Sequence, residues 1–204
     1  MTIQLHNAGK RYNRDWIFRN LTYTFQPGAY AITGPNGSGK STLLQILSGA
    51  VSVNEGSCSH IFNNATVTAD KVFNCISLCA PYLELVEEFT LAEFLLFHQS
   101  FKPFLEGLTI DFIIKKIQLE HTKGKKISEY SSGMKQRVKL AQCIFSDTPA
   151  VLLDEPCTNL DAAGIALYQE LIAEYCANRL VLVSSNDKVE YGFCKNVIDI
   201  TAYK

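Results

Sequence analysis

The feature that most constrains the fold is a glycine-rich loop between an apolar strand and a helix. The segment GPNGSGKST, residues 34–42, follows the apolar run AYAIT and continues into KSTLLQILSG. It matches the pattern G-x-x-x-x-G-K-[S/T], in the strand–loop–helix context that this pattern requires. A plain turn between strand and helix has no need of a lysine at this point. The segment therefore predicts a phosphate-binding loop in an α/β fold.

Each residue type in this loop has a chemical role toward phosphate. Glycines at 34, 37 and 39 let the backbone point its N–H groups at an anion, and the following helix adds its positive end. Lys40 supplies an ammonium for the β- and γ-phosphates, and Ser41 supplies a hydroxyl ligand for Mg²⁺. We predict nucleotide contacts along the whole loop, from Gly34, Pro35, Asn36, Gly37, Ser38, Gly39, Lys40, Ser41 and Thr42.

A second acidic motif, AVLLDEP, completes the chemistry of such a site. Asp154 ends an apolar run, where it can hold Mg²⁺ through water, and Glu155 can orient or deprotonate an attacking water. Taken alone, an apolar run that ends in Asp-Glu is equally typical of a strand end at the surface. Together with the phosphate loop, it predicts a site that hydrolyses or transfers a nucleoside triphosphate, and a small-molecule kinase stays as an alternative.

Strand and helix signals alternate along most of the chain, which is typical of an α/β fold with a mostly parallel sheet. The run LTYTF, residues 21–25, alternates like a strand with one exposed face, and we expect an antiparallel β part at the N-terminus. A helical stretch over about 85–125, extending toward 145, interrupts the alternation as an inserted subdomain. We expect one domain over 1–204. Further predicted strands cover 29–33, 58–62, 65–68, 72–79, 150–154 and 179–185, and predicted helices cover 40–49, 90–119 in two pieces, 132–145 and 161–176.

Composition limits the function classes. With 47% hydrophobic residues among 204, the chain can bury a sizeable core, and a net charge of -1 gives no broad electrostatic footprint for nucleic acid. No apolar run reaches bilayer-spanning or signal-peptide length. The seven cysteines include no C-x-x-C pair. We therefore expect reduced thiols in an intracellular chain and no disulfide framework or zinc site.

The segment EYSSGMKQRVKLAQCIF, residues 129–145, lies between the two motifs. With it, essentially the whole chain resembles the nucleotide-binding subunit of ATP-binding cassette (ABC) transporters. The family's signature, commonly written LSGGQ, falls on residues 130–134; Ser131 and Gly133 match, whereas Ser132 and Met134 differ. The resemblance implies a head-to-tail dimer in which Ser131 and Gly133 contact the γ-phosphate held by the partner's loop. From the residues alone, Ser131 is equally an N-cap of the following helix.

The resemblance implies two more nucleotide contacts. Asp161, in the segment TNLD, corresponds to the family's D-loop beside the attacking water, and it also suits a helix N-cap. Tyr12 lies about where the family stacks an aromatic ring on adenine. Trp16 and Phe18 are competitors for that role, and any of the three can belong to the core.

Two positions depart from the family. Asn186 stands where the family has its switch histidine, and we predict that its amide donates to the γ-phosphate, although it cannot carry the proton that histidine can. A polar strand-end residue bonded to local backbone is the alternative. Pro81 stands at the likeliest equivalent of a glutamine that meets Mg²⁺ and water, and proline offers neither a side-chain ligand nor an N–H. Both departures bear on the rate of hydrolysis more than on ATP binding.

The resemblance implies an ATP-hydrolysing subunit that dimerises around ATP with Mg²⁺ and energises a separate transmembrane permease subunit. It would then lie in the cytoplasm, on the inner face of the membrane through that partner. The short chain favours export weakly. The alternatives are a non-transport ABC protein and an ATP sensor with little turnover. We expect the permease to dock on Tyr82 and Phe89, and we expect Phe94, Phe97 and Phe101 to form the core face of one helix.

Overall fold

The computed structural model describes all residues, 1–204. Strands and helices alternate along the chain with short 3₁₀ turns between some of them. In chain order they are β1 (Thr2–Tyr12), β2 (Asp15–Phe25), β3 (Gly28–Thr33), α1 (Lys40–Leu47), β4 (Glu55–Phe62), β5 (Ala65–Thr66), α2 (Val72–Cys75), β6 (Ile76–Cys79), α3 (Leu91–Phe101), α4 (Ile110–Lys116), α5 (Ser132–Ile144), β7 (Ala150–Asp154), α6 (Ala162–Tyr175), β8 (Leu180–Ser184), α7 (Lys188–Tyr191) and β9 (Asn196–Asp199).

One sheet has the strand order β6-β7-β8-β3-β9, and the pairs β7–β8, β8–β3 and β3–β9 are parallel. Every residue of β7 and β8 is buried, which agrees with their uninterrupted apolar sequences, because parallel strands are covered on both faces. The prediction of an α/β fold with a mostly parallel sheet is confirmed. The carboxyl ends of these parallel strands share one edge, where ligands of such sheets bind.

The second sheet has the order β2-β1-β4-β5, and its pairs are antiparallel. This confirms the expected antiparallel part near the N-terminus. Strand β1 changes register against β2 after Leu5 and against β4 after His6, and Asn7 there has a φ of 45°. Such bulges break the alternation of inward and outward side chains. For that reason the sequence pattern did not predict β1.

The chain divides into two compact units. The sheet unit comprises Met1–Leu78, Thr148–Asp154 and Asn178–Lys204, and the helical unit comprises Cys79–Asp147 and Glu155–Ala177. Within the sheet unit, one hydrophobic core joins residues of both sheets with those of α1; its members include Phe18, Phe25, Ile32, Leu43, Leu44, Leu47, Leu152 and Leu182. The phosphate loop therefore connects two elements that are fixed in this core.

Within the helical unit, the helices begin at side-chain caps that the sequence supplies. Thr90 forms a capping box with Glu93 at α3, and the side chains of Thr109, Ser131 and Asp161 cap α4, α5 and α6. Each cap satisfies a backbone N–H that the first helical turn leaves unpaired. None of the chain's helices combines the length and apolar character needed to cross a bilayer.

Two of the sequence predictions are wrong. Val72–Cys75 is helix α2, and only Ile76–Cys79 of the expected strand 72–79 is a strand, because a short apolar run suits either structure. On α3, Phe94 is buried as expected, but Phe97 and Phe101 are 47% and 64% exposed. The apolar face of α3 is therefore wider than its buried side.

Candidate functional site

The phosphate loop has a backbone that side chains would disrupt. Gly34 has a φ of 144° and Gly39 a φ of 104°, conformations that residues with a Cβ rarely adopt. A Cβ at position 39 would collide with the side chain of Ile17, and one at position 34 would lie 2.8 Å from the hydroxyl of Ser38. Ser38 and, on β2, Ile17 therefore occupy the space that side chains at positions 34 and 39 would need.

Lys40 is almost fully buried at the first position of α1, with 6% of its surface exposed. Its Nζ donates to the carbonyl oxygens of Gly34, at 2.7 Å, and Pro35, at 3.3 Å. These two bonds hold a desolvated ammonium inside the loop. The first turn of α1 contains no acidic residue. No negative side chain in that turn therefore offsets the positive end of the helix dipole, which faces the loop.

The hydroxyl of Ser38 gives an independent indication of what the loop binds. It is buried and has no hydrogen-bond partner in the chain. A buried hydroxyl without a partner costs free energy, roughly 1–3 kcal/mol. A phosphate oxygen would supply the missing acceptor. The loop therefore fits the phosphates of a nucleotide through its own atoms as well as through its sequence pattern.

Asp154 lies at the carboxyl end of β7, and only 2% of its surface is exposed. Strand β8 places Ser184 directly beside it in the parallel register. The Ser184 hydroxyl donates to Oδ1 of Asp154 at 2.6 Å, which orients the carboxylate. Sequence reasoning missed Ser184, since only the register shows that it faces Asp154. Mg²⁺ is usually bound through one or two carboxylates and substrate phosphates, so Asp154 with the Ser41 hydroxyl is a suitable donor set.

Glu155 begins the turn after β7, exposed to solvent and with a φ of 44°. Its carbonyl accepts from the N–H of Thr158 at 3.1 Å. The next residue, Pro156, is buried, and its carbonyl accepts from Nε2 of Gln136 on α5 at 2.7 Å. The turn that carries Glu155 is thereby fixed in the helical unit. Gln136 was not among the predicted site residues, because a glutamine inside a helix has no pattern of its own.

Asn186 follows β8, and both ends of its side-chain amide form hydrogen bonds with the phosphate loop. Its Oδ1 accepts from the N–H of Gly34 at 3.2 Å, and its Nδ2 donates to Oδ1 of Asn36 at 3.3 Å. These contacts place Asn186 beside the loop. A γ-phosphate contact by the same amide stays a prediction.

Of the three aromatic candidates for adenine stacking, the structure excludes one. Phe18 is fully buried in the core, so it is not available to a base. Trp16 is half-buried, with the guanidinium carbons of Arg19 and Arg11 at 4.6 and 5.4 Å from its ring centre. Tyr12 is 47% exposed, and the ammonium of Lys10 lies 5.2 Å from its ring centre. Tyr12 therefore presents the most accessible ring.

In the helical unit, the structure brings Ser131, Gly133 and Asp161 around one depression. The Ser131 hydroxyl accepts from the N–H of Met134 at 3.2 Å, so the N-cap role is confirmed. A Cβ at Gly133 would lie 2.9 Å from the carbonyl oxygen of Asn159, which explains the small residue there. Asp161 caps α6 through the N–H of Gly164 at 2.8 Å, and Arg137 on α5 lies 3.4 Å from the same carboxylate.

Comparison with known proteins agrees with this geometry. Residues 18–158 match the family model described as ABC transporter. The "ABC transporter A family member 11" of Dictyostelium discoideum is 33% identical over 177 residues, which are 84% of this chain but only 21% of that protein. The "Uncharacterized ABC transporter ATP-binding protein YybJ" of Bacillus subtilis is 30% identical over 189 residues, covering 91% of this chain and 86% of that protein.

Among solved structures, the dimeric post-hydrolysis state of the ATP-binding cassette MJ0796, bound to ADP and Pi, matches with a TM-score of 0.80 at 21% identity. The match covers 97% of this chain and 94% of that one, and it shows a shared fold. Together with the family model and the relatives, it identifies the chain: it belongs to the ABC transporter family and has the fold of that family's ATP-binding cassettes.

Proposed function

We propose that this protein binds ATP with Mg²⁺, hydrolyses it, and drives a separate membrane-spanning partner through ATP-dependent dimerisation. The observation that carries the proposal is the phosphate loop, with its buried Lys40 and a buried Ser38 hydroxyl that lacks an acceptor. A buried ammonium and an unpaired buried hydroxyl together favour binding of an anion. Membership of the ABC transporter family supports the phosphate chain of ATP as this anion.

In this proposal, each residue performs one task during hydrolysis. Lys40 exchanges its bonds to Gly34 and Pro35 for bonds to the β- and γ-phosphates. Ser41 and Asp154 hold Mg²⁺, whose charge, when it is bound, offsets that of the phosphates. Ser184 keeps Asp154 in one orientation. Glu155, on its fixed turn, orients the attacking water and accepts its proton.

The proposed dimer uses the depression of the helical unit. Ser131 and Gly133 lie at the N-terminus of α5, where backbone N–H groups and the helix dipole favour an anion. In the proposed arrangement, this anion is the γ-phosphate bound by a second copy of the chain. The dimeric cassette with the same fold supports this arrangement. Tyr12 is proposed to stack on the adenine, and Asp161 to lie beside the attacking water.

The proposed docking surface for the membrane partner consists of Tyr82, Phe89, Phe97 and Phe101. Tyr82 is 46% exposed. The rings of Phe89 and Phe97 lie 5.6 Å apart, and those of Phe97 and Phe101 lie 5.0 Å apart, all edge to face. Phe97 and Phe101 are also exposed, and Phe89 is half-buried. Aromatic side chains at a surface are suited to anchor an interface, since they bury a large area at a small cost in entropy.

Two substitutions test the central proposal. Lys40→Ala removes the buried ammonium, and we expect it to abolish ATP binding and turnover. Glu155→Gln keeps the shape of the side chain but removes the base, so turnover should fall about 10²- to 10⁴-fold while ATP stays bound and holds the dimer. Turnover is measured by phosphate release and the dimer by light scattering with and without ATP.

Lys195→Ala and Glu106→Gln change the same residue types at exposed positions and serve as controls. Both should behave like the unsubstituted protein. If the unsubstituted protein releases phosphate well above the background rate and Glu155→Gln does so equally fast, another group is the base. A protein that binds no nucleotide before any substitution would contradict the whole proposal.

A second candidate function, an ATP sensor with little turnover, is favoured by two positions. Pro81 offers no side-chain ligand, and its carbonyl accepts from the Nζ of Lys139 at 3.0 Å. Asn186 directs its amide at the phosphate loop. The same assay separates the two functions. A sensor would bind ATP and dimerise, but it would release phosphate no faster than its own Glu155→Gln variant.

A further inference from the structure

Asn186 bonds to the phosphate loop at the place where the loop leaves its strand. The amide oxygen takes the N–H of Gly34, and the amide nitrogen reaches the side chain of Asn36. All three residues belong to the sheet unit. Because an amide has one accepting and one donating end, a neutral asparagine matches both partners at once.

We propose that Asn186 is a positioning residue that holds the phosphate loop in its binding conformation before nucleotide arrives. It would then act on diphosphate and triphosphate alike, and not through the γ-phosphate. This inference rests on the proposed function only in its nucleotide-binding test. The conformation of the empty loop can be measured without any ligand.

The bonds around Gly34 support this role. Its N–H is bonded to Asn186, and its carbonyl oxygen is bonded to Lys40 at 2.7 Å. The residue has a φ of 144°, which glycine adopts at little cost but which nothing in glycine itself enforces. Two side chains, one on its N–H and one on its carbonyl oxygen, therefore restrain this residue. Fixing a loop beforehand removes ordering entropy from the binding step.

The first test uses the protein without nucleotide and follows hydrogen exchange of the Gly34 amide. Asn186→Ala removes the acceptor of this amide, so its exchange should become roughly five- to tenfold faster, as expected for the loss of about one hydrogen bond. Asn36→Ala removes only the second partner and should cause a smaller increase. Asn196→Ala, an exposed asparagine of the same unit, should leave exchange unchanged. Unchanged exchange in Asn186→Ala would overturn the proposal.

The second test compares the affinities of ADP and ATP, each with Mg²⁺, followed by the fluorescence of Trp16, the single tryptophan. We expect Asn186→Ala to weaken both by the same factor, roughly fivefold, because the loop binds the phosphates that both nucleotides share. Thermal unfolding of each variant shows that it is folded.

Weaker binding of ATP with unchanged binding of ADP would overturn the proposal and assign Asn186 to the γ-phosphate. Unchanged affinity for both nucleotides would overturn it as well. If the unsubstituted protein binds neither nucleotide, the proposed function fails, and the exchange of the Gly34 amide still decides whether Asn186 holds the loop.

Discussion

At the scale of single residues, the site depends on uncharged side chains that aim the charged ones. Ser184 orients Asp154, Gln136 fixes the turn of Glu155, and Asn186 contacts the phosphate loop. Each of these hydrogen bonds joins residues that lie at least 20 positions apart in the sequence. Loss of a residue that orients a metal ligand commonly lowers metal affinity about 10- to 100-fold.

Ser184→Ala is therefore expected to raise the Mg²⁺ concentration needed for half-maximal ATP binding, roughly tenfold, because Asp154 loses the donor that fixes its carboxylate. Binding of ATP in the presence of EDTA should change little, since it does not involve the metal. Both are measured by titration of the Trp16 fluorescence. Ser77→Ala removes another buried hydroxyl, bonded to Thr148 at 2.7 Å, and should leave the Mg²⁺ requirement unchanged. If both substitutions raise the Mg²⁺ requirement equally, Ser184 contributes to stability and not specifically to Mg²⁺ binding.

The charged members of the site could be predicted from sequence, whereas their supporting residues could not. Lys40 and Asp154 belong to local patterns that follow directly from the chemistry of phosphate and Mg²⁺. Ser184 is one serine after an apolar run, and its role appears only when β7 and β8 are in register. Similarly, the partners of Asn186 lie 150 and 152 positions away along the chain. Spacing carries no information at that distance.

At the scale of elements, helix α3 presents apolar residues on two sides. Leu91, Phe94 and Leu95 are buried in the helical unit. Leu96, Phe97 and Phe101 are exposed, at 58%, 47% and 64%. A helix of an isolated globular unit normally keeps one polar face toward water. The exposed aromatic side chains therefore support the docking surface proposed for the membrane partner.

Substitutions on this surface test the docking proposal. Tyr82→Glu, Phe89→Glu and Phe97→Glu should each leave ATP binding by the isolated subunit intact but abolish co-purification with a membrane protein, because a carboxylate cannot be buried there without a partner. Phe112→Glu on α4, an aromatic residue of the same unit with 41% exposure, is the matched control and should still co-purify. Variants that precipitate or lose ATP binding would assign the residues to the core instead.

Elements with long or strongly patterned sequences were predicted well, and short ones were not. The helices α5 and α6 and the strands β7 and β8 lie within a residue or two of their predicted bounds. The run VFNCISLC was predicted as one strand but is divided between α2 and β6, since its apolar residues satisfy either period. Strand β9 has only four residues, with one buried, and gives no alternation from which it could be predicted.

At the scale of the whole molecule, each unit contains one histidine whose burial opposes protonation. In the sheet unit, desolvation lowers the pKa of His60, although a hydrogen bond to the carbonyl of Leu47 opposes this shift. In the helical unit, desolvation and the nearby charge of Lys102 lower the pKa of His98 to about 4. Both side chains titrate near 6.5 in an unfolded chain. As the pH falls below that value, both histidines are protonated in the unfolded chain, whereas in the folded protein they are protonated only at lower pH.

The free energy of unfolding should therefore fall as the pH is lowered from about 6.5 toward 4, and both units contribute. Urea unfolding at pH 7.5 and pH 5 measures this loss. His98→Gln removes one of the two titrating groups and should reduce the loss between the two pH values. His6→Gln replaces an exposed histidine and should retain the full loss. A loss as large in His98→Gln as in the unsubstituted protein would show that His98 does not contribute.

At Glu155, the backbone conformation sets the stability of the fold against the proposed role of the side chain. A non-glycine residue at a φ of 44° carries a conformational penalty of about 1 kcal/mol, which glycine would largely relieve. A screen that selects only for heat resistance would thus favour Glu155→Gly, and it would discard the carboxylate proposed to act as the base. At this position, glycine would favour thermal stability, whereas glutamate would favour turnover. In the proposed mechanism, an engineered or evolving version of the chain keeps ATP hydrolysis only by retaining this slightly less stable backbone at Glu155.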